Sequence, residues 1–138
     1  MAPSGTMESE KGKLLFFEDK KFIVDDFHKL LRKAGYDFLS TSDSEEALLV
    51  AEFEKPDAIL LDIAVHVPEN SDTGQGYSLF EAMKKNPKTK DIPVIILTDS
   101  SSEDDRKKCE RAGAAVYLTR RGLTPEEAMK VMELIVNK

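Results

Sequence analysis

The sequence lacks most of the features that mark secreted, membrane-spanning and nucleic-acid-binding proteins. Cys109 is its one cysteine, so no disulfide can form within the chain, and a reducing cytosol is the compartment we expect. No run of about 18 or more apolar residues is present, which excludes a membrane-spanning helix. Residues 1–12 are small, polar and charged and lack the apolar stretch of a secretory signal, so we expect a disordered tail there. The formal net charge of −6 disfavours direct binding to the phosphates of nucleic acids.

Five short apolar runs alternate along the chain with segments of helical spacing. The runs are residues 14–17, 38–39, 58–63, 94–97 and 114–118. In the first helical segment apolar residues recur at Ile23, Phe27, Leu30 and Ala34, and in the last at Ala128, Val131, Met132 and Ile135. Residues 58–63 are apolar almost throughout, as in a strand that helices cover on both faces. The pattern predicts one α/β domain over residues 13–138, with a five-stranded parallel sheet and helices on both faces.

Local signals agree with these segments. Gly35 follows the first helix, and Thr124 and Pro125 precede the last one, with Glu127 placed to complete a capping box. The fourth helix, within residues 101–113, has only Cys109 and Ala112 as apolar anchors, so we expect it to be weakly held and easily shifted.

One loop between these elements stands out. The loop of residues 64–76 is long and polar, which is more typical of a functional or mobile segment than of a simple connection. Gly74 and Gly76 lie at its end without the third glycine of a dinucleotide-binding motif, so we interpret them as a source of loop flexibility. His66 is interpreted as an ordinary loop histidine and Cys109 as a small apolar residue.

Polar side chains stand at the ends of four predicted strands. They are Glu18 with Asp19, Asp62, Thr98 and Arg120. Ligands of open α/β sheets bind at the carboxyl ends of the strands, so these groups are expected to converge. Clustered carboxylates repel one another unless a cation is bound, and oxygen ligands favour Mg²⁺ or Ca²⁺. A hydroxyl and a cation beside them suggest a phosphoryl group, with a carboxylate as the nucleophile that forms an aspartyl phosphate.

Four segments, LLFFEDK, KPDAILLDI, IPVIILTDS and GAAVYLTRR, resemble in order and spacing the response-regulator receiver domain of two-component signalling. The resemblance covers nearly all of residues 13–137 and implies a flavodoxin-like, doubly wound sheet of strand order 2-1-3-4-5. It implies that Asp62 accepts a phosphoryl group from a histidine kinase or a phosphotransfer protein. It also implies that Glu18, Asp19, Asp62 and the backbone carbonyl of Ala64 hold Mg²⁺.

The resemblance implies a signalling switch and not an enzyme, apart from phosphoryl transfer to the protein's own aspartate. Thr98 would bind a phosphoryl oxygen and move inward, and the rotamer of Tyr117 would report that movement. The face built from the fourth and fifth strands and helices would then bind an effector protein that the sequence does not identify. The family often pairs through the fourth helix, fifth strand and fifth helix, so a homodimer through this face is possible, although the sequence does not give the oligomeric state. Because the chain ends where the predicted fold ends, we expect any output domain to lie in a partner.

Three residues depart from the family pattern. Arg120 replaces the lysine that meets the phosphoryl group, and we expect it to point inward while Arg121, which replaces a proline, points outward. A cis bond before a non-proline residue is costly, so the Arg120–Arg121 bond is expected to be trans. Asp99 is placed where a carboxylate could crowd or repel a phosphoryl group.

These departures favour an alternative, a pseudo-receiver that is never phosphorylated and acts as a constitutive interaction module. A metal-dependent hydrolase using Asp62 is a weaker alternative, because no general acid or base is evident.

Overall fold

The computed structural model describes residues 11–65 and 75–137, which form a five-stranded parallel sheet with helices on both sides. The elements are, in order, β1 (Gly12–Phe17), α1 (Lys21–Lys33), β2 (Tyr36–Thr41), α2 (Ser44–Glu54), β3 (Ala58–Leu61), α3 (Gln75–Lys85), β4 (Val94–Thr98), α4 (Glu103–Arg111), β5 (Val116–Thr119) and α5 (Pro125–Val136). The strand order is β2-β1-β3-β4-β5, and every neighbouring pair is parallel. The predicted fold class and strand order are therefore confirmed.

The sheet has two cores because successive strand residues point to opposite faces. Leu15 and Phe17 of β1 belong to the core shared with α2, α3 and α4, whereas Leu14 and Phe16 belong to the core shared with α1 and α5. All residues of β3 and β4 are buried. Burial on both faces explains why these strands read as continuous apolar runs and not as alternating ones.

The predicted helix boundaries have clear physical causes. Glu127 N donates to Thr124 Oγ1 at 3.1 Å, and Thr124 N donates to Glu127 Oε1 at 2.9 Å, so the predicted capping box begins α5. Gly35 follows α1 with φ +97°, a left-handed conformation that glycine adopts at low cost. The predicted apolar stripe of α1 was wrong in one detail. Leu31 is fully buried while Leu30 is half-buried, since the face against the sheet follows Ile23, Phe27 and Leu31 at intervals of four.

Two predicted boundaries shift in the structure. Gly12 already belongs to β1, so sheet pairing begins within the predicted tail of residues 1–12. Residues 1–10 lie outside the described residues, so the tail itself stays a prediction. Helix α3 begins at Gln75, which shortens the predicted loop 64–76 at its end. His66 and Gly74 also fall outside the described part of the chain. Within residues 11–65 and 75–137, no helix is both long and apolar enough to cross a membrane.

Helix α4 is attached to the sheet by few apolar contacts, as predicted. Cys109 is its one buried residue, and Ala112 just beyond its end packs partly against the core. Two cationic side chains add to this attachment. The guanidinium carbon of Arg106 lies 4.9 Å from the ring centre of Tyr117, and Lys108 Nζ lies 4.2 Å from that of Tyr77. Such cation–π contacts are worth about 0.5–1 kcal/mol at exposed sites, so α4 is weakly held compared with the buried strands.

Candidate functional site

The polar residues predicted to converge lie at the carboxyl edge of the sheet. Glu18 and Asp62 directly follow β1 and β3, Thr98 ends β4, and Arg120 directly follows β5. Main-chain hydrogen bonds continue beyond the strands and fix these positions. Asp62 N donates to Phe17 O at 3.1 Å, and Arg120 N donates to Thr98 O at 2.8 Å. The side chains of Glu18, Asp62 and Arg120 are thereby placed next to one another.

Arg120 joins three carboxylates through one guanidinium group. Its Nη1 lies 2.8 Å from Glu18 Oε1, and its Nη2 lies 3.3 Å from Asp62 Oδ2. Asp99 binds the other edge, with 3.2 Å from Nε to Oδ1 and 3.0 Å from Nη2 to Oδ2. Five N–H donors in a planar fork make this bridging possible, which the single ammonium of a lysine could not match. Arg120 thus points inward, as predicted, with 13% of its side chain exposed.

Glu18 is the more buried of the two acids that follow β1. Burial and, next to it, the charge of the nearby Asp62 raise the pKa of its carboxyl to about 7, while hydrogen bonding to Lys20 N and the charge of Arg120 act in the opposite direction. Its Oε2 accepts hydrogen bonds from the main-chain N–H groups of Asp19 at 3.0 Å and Lys20 at 3.2 Å. Asp19 itself is exposed. Only one of the adjacent acids is therefore enclosed within the site.

Asp62 is almost fully buried, with 1% of its surface exposed. Its Oδ1 accepts a hydrogen bond from Ala64 N at 2.9 Å, and its Oδ2 faces Arg120. All four carboxylate oxygens of Glu18 and Asp62 consequently have hydrogen-bond donors. The arrangement satisfies two buried carboxyl groups with main-chain N–H groups and one guanidinium.

The donor set matches a divalent cation in its chemistry. Glu18 and Asp62 bring two carboxylates together, Asp19 and the Ala64 carbonyl are the further oxygens predicted for the ion, and Mg²⁺ prefers oxygen ligands of this kind. In the part of the chain that the structure describes, however, no three Asp, Glu, His or Cys side chains are gathered as a metal-binding group. The residues fit Mg²⁺ by type, but Arg120 makes the contacts that the cation would need.

Asp99 and Arg121 take different positions around this site. Hydrogen bonds from Arg120 lower the pKa of the Asp99 carboxyl, and 57% of that side chain is exposed. Its carboxylate is therefore paired with Arg120 in this structure, and the predicted repulsion of a phosphoryl group stays a prediction. Arg121 is exposed, and the Arg120–Arg121 bond is trans, as predicted.

Thr98 and Tyr117 are linked through Ser100, which the sequence did not single out. Thr98 is fully buried, and its Oγ1 accepts a hydrogen bond from Ser100 N at 3.4 Å. The Tyr117 hydroxyl donates to Ser100 O at 2.9 Å, and Ser100 Oγ donates to Asp105 Oδ2 of α4 at 2.5 Å. Ser100 therefore connects the end of β4 with both β5 and α4. Its only sequence signal is its place between the end of β4 and the N-terminus of α4.

Gly76 is a second residue whose importance was missed. A Cβ atom at this position would overlap Asp62 O and lie 2.7 Å from Ile63 Cα. The interpretation of Gly76 as a source of loop flexibility was wrong. It lies in α3 and lets that helix pack directly against the main chain of Asp62 and Ile63, a close approach that needs a residue without a side chain.

Comparisons with known proteins agree with the observed fold. Residues 14–132 match the family model of the response regulator receiver domain. The transcriptional regulatory protein YvrH of Bacillus subtilis (strain 168) is 33% identical over 112 residues, covering 80% of this chain and 44% of YvrH. This chain spans about half the length of the first curated relatives it matches, which are transcriptional regulatory proteins.

Solved structures show the same fold. The chemotaxis response regulator CheY4 of Vibrio cholerae superimposes with a TM-score of 0.75 at 25% identity, covering 89% of this chain and 97% of CheY4. The receiver domain of the sensor histidine kinase PA1611 of Pseudomonas aeruginosa PAO1 has a TM-score of 0.75 at 25% identity, covering 92% of this chain and 98% of that domain. The latter structure has a magnesium ion coordinated in its active-site cleft.

Proposed function

The chain belongs to the response regulator receiver domain family, a family of signalling modules, and from this premise we propose that Asp62 accepts a phosphoryl group that controls partner binding. The observation that carries the proposal is the setting of Asp62. Its carboxylate lies at the carboxyl edge of the central strand β3, between the Ala64 N–H and the Arg120 guanidinium. The Arg120 guanidinium is thereby held beside the acceptor, where it can bind the oxygens of an incoming phosphoryl group.

In the proposed transfer, Asp62 Oδ attacks the phosphorus of a phosphohistidine on a histidine kinase or phosphotransfer protein. An O–P bond forms, the P–N bond breaks, and the electron pair stays on the imidazole nitrogen of the donor. Arg120 and the Thr98 hydroxyl bind oxygens of the transferred group. Glu18, Asp19, Asp62 and the carbonyl of Ala64 would hold Mg²⁺, which would offset negative charge on the phosphoryl group. The magnesium ion in the PA1611 receiver domain supports this assignment.

The switch would follow from the contacts between the site and α4. A phosphoryl group on Asp62 attracts Thr98, whose hydroxyl oxygen accepts a hydrogen bond from Ser100 N. Ser100 O in turn accepts a hydrogen bond from the Tyr117 hydroxyl, and Ser100 Oγ donates one to Asp105 of α4. Because α4 is weakly held, a small change at Ser100 can move it, and the face of β4, α4, β5 and α5 changes its affinity for an effector or a second copy of the chain.

A second candidate function is supported by the pairing of Arg120. A constitutive interaction module without phosphorylation is favoured because the four oxygens of Glu18 and Asp62 are satisfied by the protein's own donors. Such a pseudo-receiver would keep its partner-binding face in one conformation whether or not a kinase is active.

Intact-mass measurement separates the two candidates. We expect incubation with a small phosphodonor and Mg²⁺ to add the mass of one phosphoryl group to the wild-type protein and none to Asp62→Asn. Asp91→Asn, which changes an exposed aspartate in the same way, is the matched control and should be modified like the wild type. A wild-type protein that gains no mass while a receiver of known activity is modified in parallel would support the pseudo-receiver.

A further inference from the structure

The Glu18–Asp62 carboxylate pair has only two oxygens that the main chain does not bind. Glu18 Oε2 is held by the N–H groups of Asp19 and Lys20, and Asp62 Oδ1 by that of Ala64. The remaining oxygens, Glu18 Oε1 and Asp62 Oδ2, both face the Arg120 guanidinium at 2.8 and 3.3 Å. Any cation that binds this carboxylate pair must therefore approach from the position that Arg120 fills.

Burial closes the other routes to these oxygens. The side chain of Glu18 has no exposed surface, and 2% of that of Asp62 is exposed. Mg²⁺ coordinates oxygens at about 2.0–2.1 Å and keeps several of its waters, so it needs room directly in front of the oxygens it binds. A guanidinium about 3 Å from the same oxygens takes that room and, as a cation, repels the ion.

Asp99 gives the displaced guanidinium an alternative partner. It binds Nε and Nη2 along the edge of Arg120 that does not face Glu18, and its side chain is largely exposed and free to follow an outward movement. Arg120 can therefore leave the carboxylate pair while it keeps one charged partner. A lysine could not hold Asp99 along one edge while it faces Glu18 and Asp62 from another, because all its donors lie on one nitrogen.

We infer, on the basis of the proposed function, that Arg120 is an internal counter-ion that competes with Mg²⁺ for Glu18 and Asp62. The resting site is neutralised by the protein itself, and the divalent cation binds only when Arg120 withdraws towards Asp99. The receiver consequently needs a higher Mg²⁺ concentration for phosphorylation than it would need without Arg120. Once displaced, the same guanidinium is available for the oxygens of the incoming phosphoryl group.

Titration calorimetry with Mg²⁺ alone tests the competition. We expect Arg120→Gln to bind Mg²⁺ about tenfold or more tightly than the wild type, because the cation no longer has to break charged hydrogen bonds. Arg121→Gln is the matched control, since it removes the same charge at the neighbouring, exposed position, and its affinity should stay within about threefold of the wild type. Arg120→Lys, which keeps the charge but offers fewer donors, all on one nitrogen, should lie between Arg120→Gln and the wild type.

Thermal unfolding provides the second measurement and reports whether the variants fold. In EDTA, Arg120→Gln should melt at a lower temperature than the wild type, since two buried carboxylates lose their shared partner. Saturating Mg²⁺ should raise its melting temperature by more than it raises that of the wild type. An equal increase in both proteins would overturn the inference.

The calorimetric outcomes also separate this inference from the proposed function. If Arg120→Gln and the wild type bind Mg²⁺ equally while the wild type is phosphorylated on Asp62, the competition is refuted and the function stands. An equal gain in Mg²⁺ affinity in Arg121→Gln would refute the competition as well, because the gain would then come from the change in net charge and not from the contacts of Arg120. If no variant binds Mg²⁺, both the competition and the proposed metal requirement of the function are refuted.

Discussion

Replacing Gly76 by alanine should separate α3 from the main chain that carries Asp62. The added Cβ would overlap Asp62 O, and it would lie 2.7 Å from Ile63 Cα and 2.9 Å from Asp62 C. All three neighbours are main-chain atoms, so no side chain can rotate away to make room. Either the start of α3 or the segment of Asp62 and Ile63 has to move.

The size of the effect follows from two opposing contributions. Overpacking a close contact costs about 1–3 kcal/mol, and main-chain neighbours place this site in the upper part of that range. Alanine gains roughly 0.5–1 kcal/mol over glycine inside a helix, which offsets part of the cost. We therefore expect Gly76→Ala to lower the free energy of unfolding by about 1–2 kcal/mol.

Urea unfolding followed by far-UV circular dichroism measures this difference. Ser78→Ala is the matched control, because Ser78 is exposed on the same helix, and its change should stay within about 0.5 kcal/mol. Phosphorylation of Gly76→Ala should also be slower than that of the wild type, since the carboxylate of Asp62 moves with its main chain. A Gly76→Ala protein as stable as the wild type would refute the proposed close contact.

Three further predictions concern residues around the site and the helix ends. Burial raises the pKa of the Cys109 thiol to about 11, so at pH 8 it stays protonated and should react with iodoacetamide only after unfolding; rapid labelling of the folded protein would contradict this. Tyr117→Phe removes a hydrogen bond to Ser100 O, so it should lower the free energy of unfolding by about 1 kcal/mol and speed amide hydrogen exchange at residues 99–102. Unchanged stability and exchange would count against this link. Thr124→Ala should cost about 1 kcal/mol in urea unfolding, whereas Thr124→Ser should keep the cap; equal losses in both would exclude the capping explanation.

The fold was predictable because its signals are local. Continuous apolar runs identified the buried strands, and the glycine and capping residues marked where α1 ended and α5 began. Local patterns could not decide between Leu30 and Leu31, because both suit an apolar stripe and only packing against the sheet selects Leu31. Strand order came from the family resemblance, since periodicity within one strand carries no information about its neighbours.

The sequence predicted which strand ends meet at the candidate site. Glu18, Asp62 and Arg120 were expected together because parallel strands end at one edge of the sheet. The contact between Asp99 and Arg120 was missed, because it depends on how a long side chain curves back across two neighbouring strands. The role of Gly76 was also hidden, since the close approach of α3 to the main chain that follows β3 is a tertiary contact with no sequence signal of its own.

Chemical trapping of the modified residue tests the central claim most directly. Borohydride reduces an aspartyl phosphate to homoserine, and peptide mass spectrometry then reports the position. After treatment with a phosphodonor and Mg²⁺, we predict homoserine at position 62 and at no other aspartate. An unchanged Asp62, or modification confined to Asp19 or Asp99, would contradict the proposal that Asp62 is the phosphoryl acceptor.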